Sequence, residues 1–468
     1  MLNVDFDGVF GDKQLVCNVT IAVSVRDQAK NLNFAWCKCV IAIMLRQLRG
    51  NLGRHSLLSI VDLTNDVNHF FWRHRLQNIC PRARLKSALN FDITLEGRQN
   101  DYSRSGEFTA DGDQSVDAAH AGSAIILSPW SAYTFYGDEQ ILRDNYDAIV
   151  AYANYLQTRA HDNIISYGLG DWYDIGPDSP GKSQLTGEGM TATAIYYQDL
   201  TDLARIATIL DKPANAAQFA SRAAAVKASI NAHFFHPEAD NYDRGSQTAN
   251  AMALALGLVA EDHRAGVLSN LIADIHRHQN HATAGDVGFH YVVRALTDSG
   301  RSDVLYDMLT RTDSPSYGYQ LSHGATALTE AWDANPSSSQ DHFMLGHAEE
   351  WLYRGLAGID FDLDRERSLR IWIHPQIVGD VHFASASYES VLGNIATHWQ
   401  RDGDTLQLDV TIPPGTTATI SIPQEFSRSV VESGHGPHGD NGVLSVRDTP
   451  GATSLVVGSG SYHFVAQR

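Results

Sequence analysis

Asp138-Glu-Gln-Ile141-Leu142-Arg143-Asp144-Asn-Tyr-Asp147-Ala-Ile149-Val150-Ala-Tyr-Ala153-Asn-Tyr-Leu156 is the stretch whose period decides the fold. Ile141, Leu142, Ile149, Val150, Ala153 and Leu156 recur on one face, while Arg143, Asp144 and Asp147 lie opposite, as an amphipathic helix requires. The same period predicts further helices over 190–210, 213–234, 247–259, 262–279, 284–298, 301–311 and 341–357. Gly-, Pro- and Asp-rich loops such as Gly168–Gly181 and Asp333–Ser339 separate them. Successive helices with alternating short and long connections suit a toroid of α-hairpins, which holds ligands on the loops at one end.

Beyond about Asp362 the period falls from 3.6 to 2. Leu369–Ile373, Leu406–Val410 and Thr417–Ile422 alternate as half-buried strands between Gly, Pro and Asp turns. The expected fold class is therefore mainly α with a β domain: an (α/α)6 barrel, the six-hairpin toroid, followed by a C-terminal antiparallel β-sandwich. The expected domains are a poorly specified region over 1–105, the barrel over 106–360 and the sandwich over 361–468.

Charge divides the chain at the same first boundary. Residues 1–105 hold 14 Lys and Arg against 9 Asp and Glu, whereas the whole chain carries a formal charge of −19. So acidic a chain lacks the basic face that a phosphate backbone needs, and nucleic acid is not an expected partner. The apolar run Phe34–Leu45 is broken by Lys38 and is shorter than the roughly 20 residues of a membrane span, so no membrane is expected either. That run also lies too far from Met1 for an ordinary signal peptide, and the chain shows no export address. Cys37-Lys38-Cys39 lacks zinc-ligand spacing, and His276, His278 and His281 have no matching acid or thiol in sequence. Neither a metal nor an organic cofactor is expected.

Three segments offer chemistry. Tyr167-Gly-Leu-Gly-Asp171-Trp172-Tyr-Asp174 sets acids beside aromatics, which suits a sugar ring: its C–H face stacks and its hydroxyls donate to a carboxylate. A tight loop in which Asp171 caps a helix has the same spacing. His323-Gly-Ala-Thr-Ala-Leu-Thr329-Glu330-Ala-Trp332-Asp333 places Glu330 in a small-residue run, where it could take a proton from water or be an ordinary solvated helix residue. Ser339-Gln340-Asp341-His342 opens the helix expected over 341–357, with His342 positioned either to touch a ligand or to pack.

Together these motifs resemble the inverting bacterial-type α-L-rhamnosidases, the six-hairpin glycosidases. That family carries Gly-Asp-Trp, then Gly-Ala-Thr followed by Glu and Trp, then Ser-x-Asn-His. The counterparts here are Gly170-Asp171-Trp172, Gly324-Ala325-Thr326 with Glu330 and Trp332, and Ser339 to His342, with Pro129-Trp130 upstream. The resemblance covers about residues 106–425, and Asp341 stands where the family has Asn. It implies exo-hydrolysis of terminal α-L-rhamnose from rhamnose-containing carbohydrate, with Glu330 as general base. Trp130, Asp171, Trp172, Trp332 and His342 fall at ligand-contacting or pocket-lining positions.

The family's general acid sits in an upstream Asp-Cys-Pro-x-Arg-Glu segment. The local echo is Ile79-Cys80-Pro81-Arg82-Ala83-Arg84, which puts Arg84 in the acid's place, and an arginine cannot donate near neutral pH. About ten helices can be placed after residue 115, so the last pair of a twelve-helix toroid would have to come from 40–105. That region is expected to be a degraded start of the barrel, through a frame error, a truncated gene or decay. The alternatives to a rhamnosidase are a non-catalytic rhamnosyl-binding relative and, less well suited to an acidic barrel, a polysaccharide lyase.

Overall fold

The computed structural model describes residues 122–468, apart from residues 336, 343, 344, 364, 366, 437–441 and 450. The expectations for residues 1–105, including the Cys80-Pro81 segment, lie outside the described residues.

The helical part runs α1 Ala124–Tyr136, α2 Glu139–Arg159, α3 Glu188–Ile209, α4 Pro213–Phe234, α5 Gln247–Ala255, α6 Glu261–Arg277, α7 Gly288–Asp298, α8 Ser302–Leu309, α9 Tyr317–Ser322 and α10 Ala348–Trp351. A π-helical turn, Leu352–Leu356, extends α10. Helices α1 and α2, α3 and α4, α5 and α6, and α7 and α8 pack as consecutive pairs, and α3, α5 and α7 also touch their odd-numbered neighbours. Burial shows why. On α4 only Phe219, Ala223, Val226 and Ile230 are buried, a single stripe that suits an outer position. On α5 every residue from Gln247 to Leu254 is buried, and α7 is buried on nearly every side, so these line the inner ring. The outer α4 thus shows its period in sequence, whereas the inner α5 is buried on every side and shows none.

Local chemistry sets the ends. The Asp138 side chain accepts from Gln140 N at α2, and Ser246 accepts from Ala249 N at α5. Pro213 opens α4, where its missing N–H costs nothing. Two expected helices start later than their period suggests. The 284–298 helix begins at Gly288, because residues 282–287 leave the helical path to line the site. The 341–357 helix begins at Ala348, so His342 stands on an irregular segment and does not open a helix. A two-residue hairpin, β1 Phe235–His236 with β2 Asn241–Tyr242, was not anticipated.

The strands after the barrel are β3 Ile359–Phe361, β4 Ile371–Ile373, β5 Phe383–Ser390, β6 Gly393–Asp402, β7 Thr405–Ile412, β8 Ala418–Pro423, β9 Ser429–Glu432, β10 Val443–Thr449, β11 Ala452–Val457 and β12 Gly460–Gln467. They form two five-stranded sheets, ordered β10-β11-β8-β4-β3 and β5-β6-β7-β12-β9. Ile371, Ile373, Ile420, Ile422 and Leu455 from one sheet meet Trp399, Leu406, Leu408 and Phe464 from the other in one core. The sandwich is not wholly antiparallel: β4 and β8 pair in parallel. The chain travels from β4 through the entire β5–β7 meander before β8, so no tight turn forces these two strands to oppose.

The sandwich is fastened to the end of the barrel. Trp399 Nε1 donates to Leu356 O at 2.7 Å and Thr397 Oγ1 to Ala357 O at 2.8 Å. Arg354 bridges Asp298, Glu350 and Asp360, and His374 Nε2 lies 3.1 Å from the same Asp360. Among the described residues, no helix is long and apolar enough to cross a membrane.

Candidate active site

Three segments meet at one end of the inner helices. The first is the Gly-rich loop after α2. Asp171 is fully buried: its Oδ1 accepts from Gly288 N at 2.7 Å, and its Oδ2 accepts from Gly285 N at 2.9 Å and from the Thr248 hydroxyl. Burial raises its pKa to about 6, against the pull of those donors. Asp174 does similar work lower in the loop, taking the Gln184 and Leu185 N–H groups.

The second segment, 282–288, is what Asp171 holds. Asp286 N donates to Trp172 O at 2.8 Å, and Ile175 N donates to Thr283 O at 2.9 Å. The contact is too close for side chains. A β-carbon on Gly285 would overlap the Trp172 carbonyl, and one on Gly288 would overlap the Thr248 hydroxyl. Glycines on either side therefore let the chain pass while Asp286 turns inward.

The third segment is folded back on itself. Glu330 N donates to Ser339 O at 2.9 Å and His342 N to Leu328 O at 2.8 Å, so residues 328–330 and 339–342 run as paired limbs. That pairing brings Glu330 and His342 together across twelve positions. Ser339 N donates to Glu330 Oε2 at 3.0 Å and leaves the other oxygen available. Trp332 ties this segment to the second, its Nε1 donating to Ala284 O at 2.9 Å and its ring meeting Phe289 edge-on at 5.0 Å.

At the meeting point, Asp286, Glu330 and His342 each offer a ligand atom, all within 4.8 Å of one another; among the described residues no other trio of His, Cys, Asp or Glu does so. Glu330 and His342 are half-buried and Asp286 is buried. Asp286 Oδ2 lies 3.7 Å from His342 Nε2, while its Oδ1 is shut in without a hydrogen-bond partner. Burial, then the charges of Asp171 and Glu330, push the Asp286 pKa up to about 8. Behind it the His347 ring bonds to the Asp286 backbone, and burial brings that imidazole down to about 4.

The structure thus gathers Asp171, Trp172, Glu330, Trp332 and His342, but in different roles. Asp171 and Trp332, the latter 2% exposed, stand behind the surface with their polar groups engaged. They shape the site and are not placed to contact a ligand directly. Trp130 lies on α1, stacked on Tyr133 at 5.9 Å with Arg205 over its ring at 6.0 Å. Asp286 was missed in the sequence. Its signal is the pair of glycines around one acid, Gly285-Asp286-Val287-Gly288, which the helical period had absorbed. His281, which has no matching acid near it in sequence, is 8% exposed and sits 3.1 Å from Asp313.

Residues 110–356 match the bacterial alpha-L-rhamnosidase 6 hairpin glycosidase domain, and residues 369–436 the bacterial alpha-L-rhamnosidase C-terminal domain. The chain belongs to this rhamnosidase family. An alpha-L-rhamnosidase of Streptomyces avermitilis is 28% identical over 90% of the chain, and one of Formosa agariphila 27% identical over 74%. The chain spans 41% and 38% of the length of those two curated relatives. An alignment over 90% of the chain reaches into the first 105 residues, ahead of the six-hairpin match. Among solved structures, an alpha-L-rhamnosidase from Dictyoglumus thermophilum is similar with a TM-score of 0.68 and 29% identity, over 74% of this chain and 39% of that one. The Streptomyces avermitilis alpha-L-rhamnosidase complexed with L-rhamnose gives 0.65 and 28%, over 73% and 32%. The six-hairpin glycosidase fold and the sheet domain behind it are common ground between this rhamnosidase-family chain and those relatives.

Proposed function

We propose that this chain is an inverting α-L-rhamnosidase that releases terminal α-L-rhamnose from glycans or glycosides, with 106–360 as its catalytic domain and 361–468 as its β-domain. The observation that carries the reading is Glu330. It is half-buried beside His342, one oxygen is fixed by Ser339 N, and it stands in the barrel that matches the rhamnosidase family. A carboxylate anchored at one oxygen keeps the other aimed for proton removal. Trp172 and His342 border the sugar, Asp171 and Trp332 hold those borders in place, and Trp130 is a further residue of the sugar-binding surface.

In the reaction, Glu330 takes a proton from water as that water attacks the anomeric carbon, and the glycosidic C–O bond breaks on the opposite face. Asp286 is not the opposing acid, because an inverting pair needs about 6.5–9.5 Å to admit the water and these two carboxyls offer atoms within 4.8 Å. The test is turnover of p-nitrophenyl α-L-rhamnoside, whose leaving group needs little acid assistance. The Glu330→Gln variant is expected to lose about 1,000-fold in kcat. A folded chain that binds L-rhamnose without turnover would make it the non-catalytic relative instead.

A further inference from the structure

We propose that Asp286, together with Glu330 and His342, forms a three-point cradle that holds the attacking water. This rests on the rhamnosidase reading above and adds to it a residue that touches the reacting atom.

Three atoms no more than 4.8 Å apart have a common point about 2.8 Å from each, which is the length of a water hydrogen bond. The water donates one hydrogen to the free Glu330 oxygen and the other to Asp286 Oδ2, and it accepts from His342 Nε2–H. One lone pair remains for the anomeric carbon. As that O–C bond forms and the glycosidic C–O bond breaks, Glu330 receives the water's first proton and the leaving group departs with the bonding pair.

The construction around Asp286 serves this role and explains why so buried an acid is kept. Its Oδ1 is shut off without a partner, so a single oxygen faces the cluster. Its backbone is fixed at N by Trp172 O and from behind by the His347 ring. The flanking Gly285 and Gly288 are clamped by Asp171. The charged or titratable groups around it are Asp171 on the Gly-rich loop, Glu330 and His342 on the folded-back segment, and His347 at the start of α10. Burial and the like charges of Asp171 and Glu330 favour the protonated form of Asp286. That leaves Glu330 to take the proton.

The test compares Asp286→Asn and Asp286→Ala with wild type and Glu330→Gln, on p-nitrophenyl α-L-rhamnoside. Asn keeps an acceptor oxygen in place and adds no charge. It is expected to stay within about 10-fold of wild type in kcat, whereas Ala loses about 100-fold. KM and the affinity for L-rhamnose should hold in both, because the water side and not the sugar side is changed. Asp286→Ala at wild-type kcat beside an inactive Glu330→Gln would overturn the cradle and spare the function. Should Ala fail to fold, an Asn variant with kcat as low as Glu330→Gln would overturn it equally. Turnover removed by a chelator and restored by a divalent metal would assign the trio to an ion and overturn the water. A wild-type chain without turnover would overturn the rhamnosidase reading itself.

Discussion

Asp286 and Asp360 are both buried carboxyl groups, and their surroundings drive them in opposite directions. Asp286 looks at Asp171 and Glu330, and burial with those like charges pushes it up to about 8. Asp360 is also penalised by burial, but His374 and Arg354 bond to it and hold it well below the usual carboxylate range. Burial alone therefore does not say what an acid does; the sign of its neighbours does. Asp360 is a joint, fastening β3 to the π turn that ends the barrel. Asp286 has like charges as its main electrostatic neighbours, and a buried acid raised in this way beside two further titratable groups marks a candidate reactive site.

The difference can be broken at either end. The largest effect is expected at the joint. Arg354→Ala leaves Asp360, Asp298 and Glu350 without their shared cation and should cost about 3 kcal/mol, the lower end for breaking a buried pair. Denaturant unfolding measures it, and a loss under about 1 kcal/mol would reduce the joint to an ordinary surface pair.

A smaller effect is expected from pH. Free carboxyls titrate near 4, whereas Asp286, Asp202 and Asp171 are raised to about 8, 7 and 6 in the folded barrel. Between those limits the folded state holds protons that the unfolded chain has lost, so stability falls as pH rises from about 4 to 8. Asp360 and His347, depressed in the fold, act the other way: Asp360's contribution disappears as pH falls below 4, and His347, brought down to about 4, offsets part of the acids' loss between there and the ordinary imidazole value near 6.5. The thermal midpoint should therefore peak near pH 4–5 and decline by a few degrees towards pH 8, and Asp286→Asn should flatten part of that decline. A midpoint that rises from pH 5 to 8 would mean these acids are not protonated in the fold.

The same contrast explains what could be read in the sequence. The outer helices α2 and α4 bury one stripe, so their period is visible, and the strands β4, β7 and β8 alternate for the same reason. Helix α5 is buried all round and carries no stripe; its start shows only in the Ser246 cap. Glu330 and His342 were found from their motifs, but what joins them, two limbs bonded backbone to backbone, leaves no period. Asp286 escaped because an acid among Ala, Thr and Gly looks like the first turn of a helix. Only the close approach of Trp172 and Asp171 shows that those glycines are required. The parallel β4–β8 pair was hidden because alternation is alike in both strand directions.

The stereochemistry of the first sugar released tests the account most directly, since two carboxyls offering atoms within 4.8 Å are nearer the roughly 5–5.5 Å of a retaining pair than the spacing of an inverting one. Proton NMR in the first minutes of p-nitrophenyl α-L-rhamnoside cleavage distinguishes the two. If Glu330 and Asp286 share one water on one face of the ring, β-L-rhamnose appears first and mutarotates later. Initial α-L-rhamnose would contradict the account and make Asp286 and Glu330 the acid and nucleophile of a double displacement.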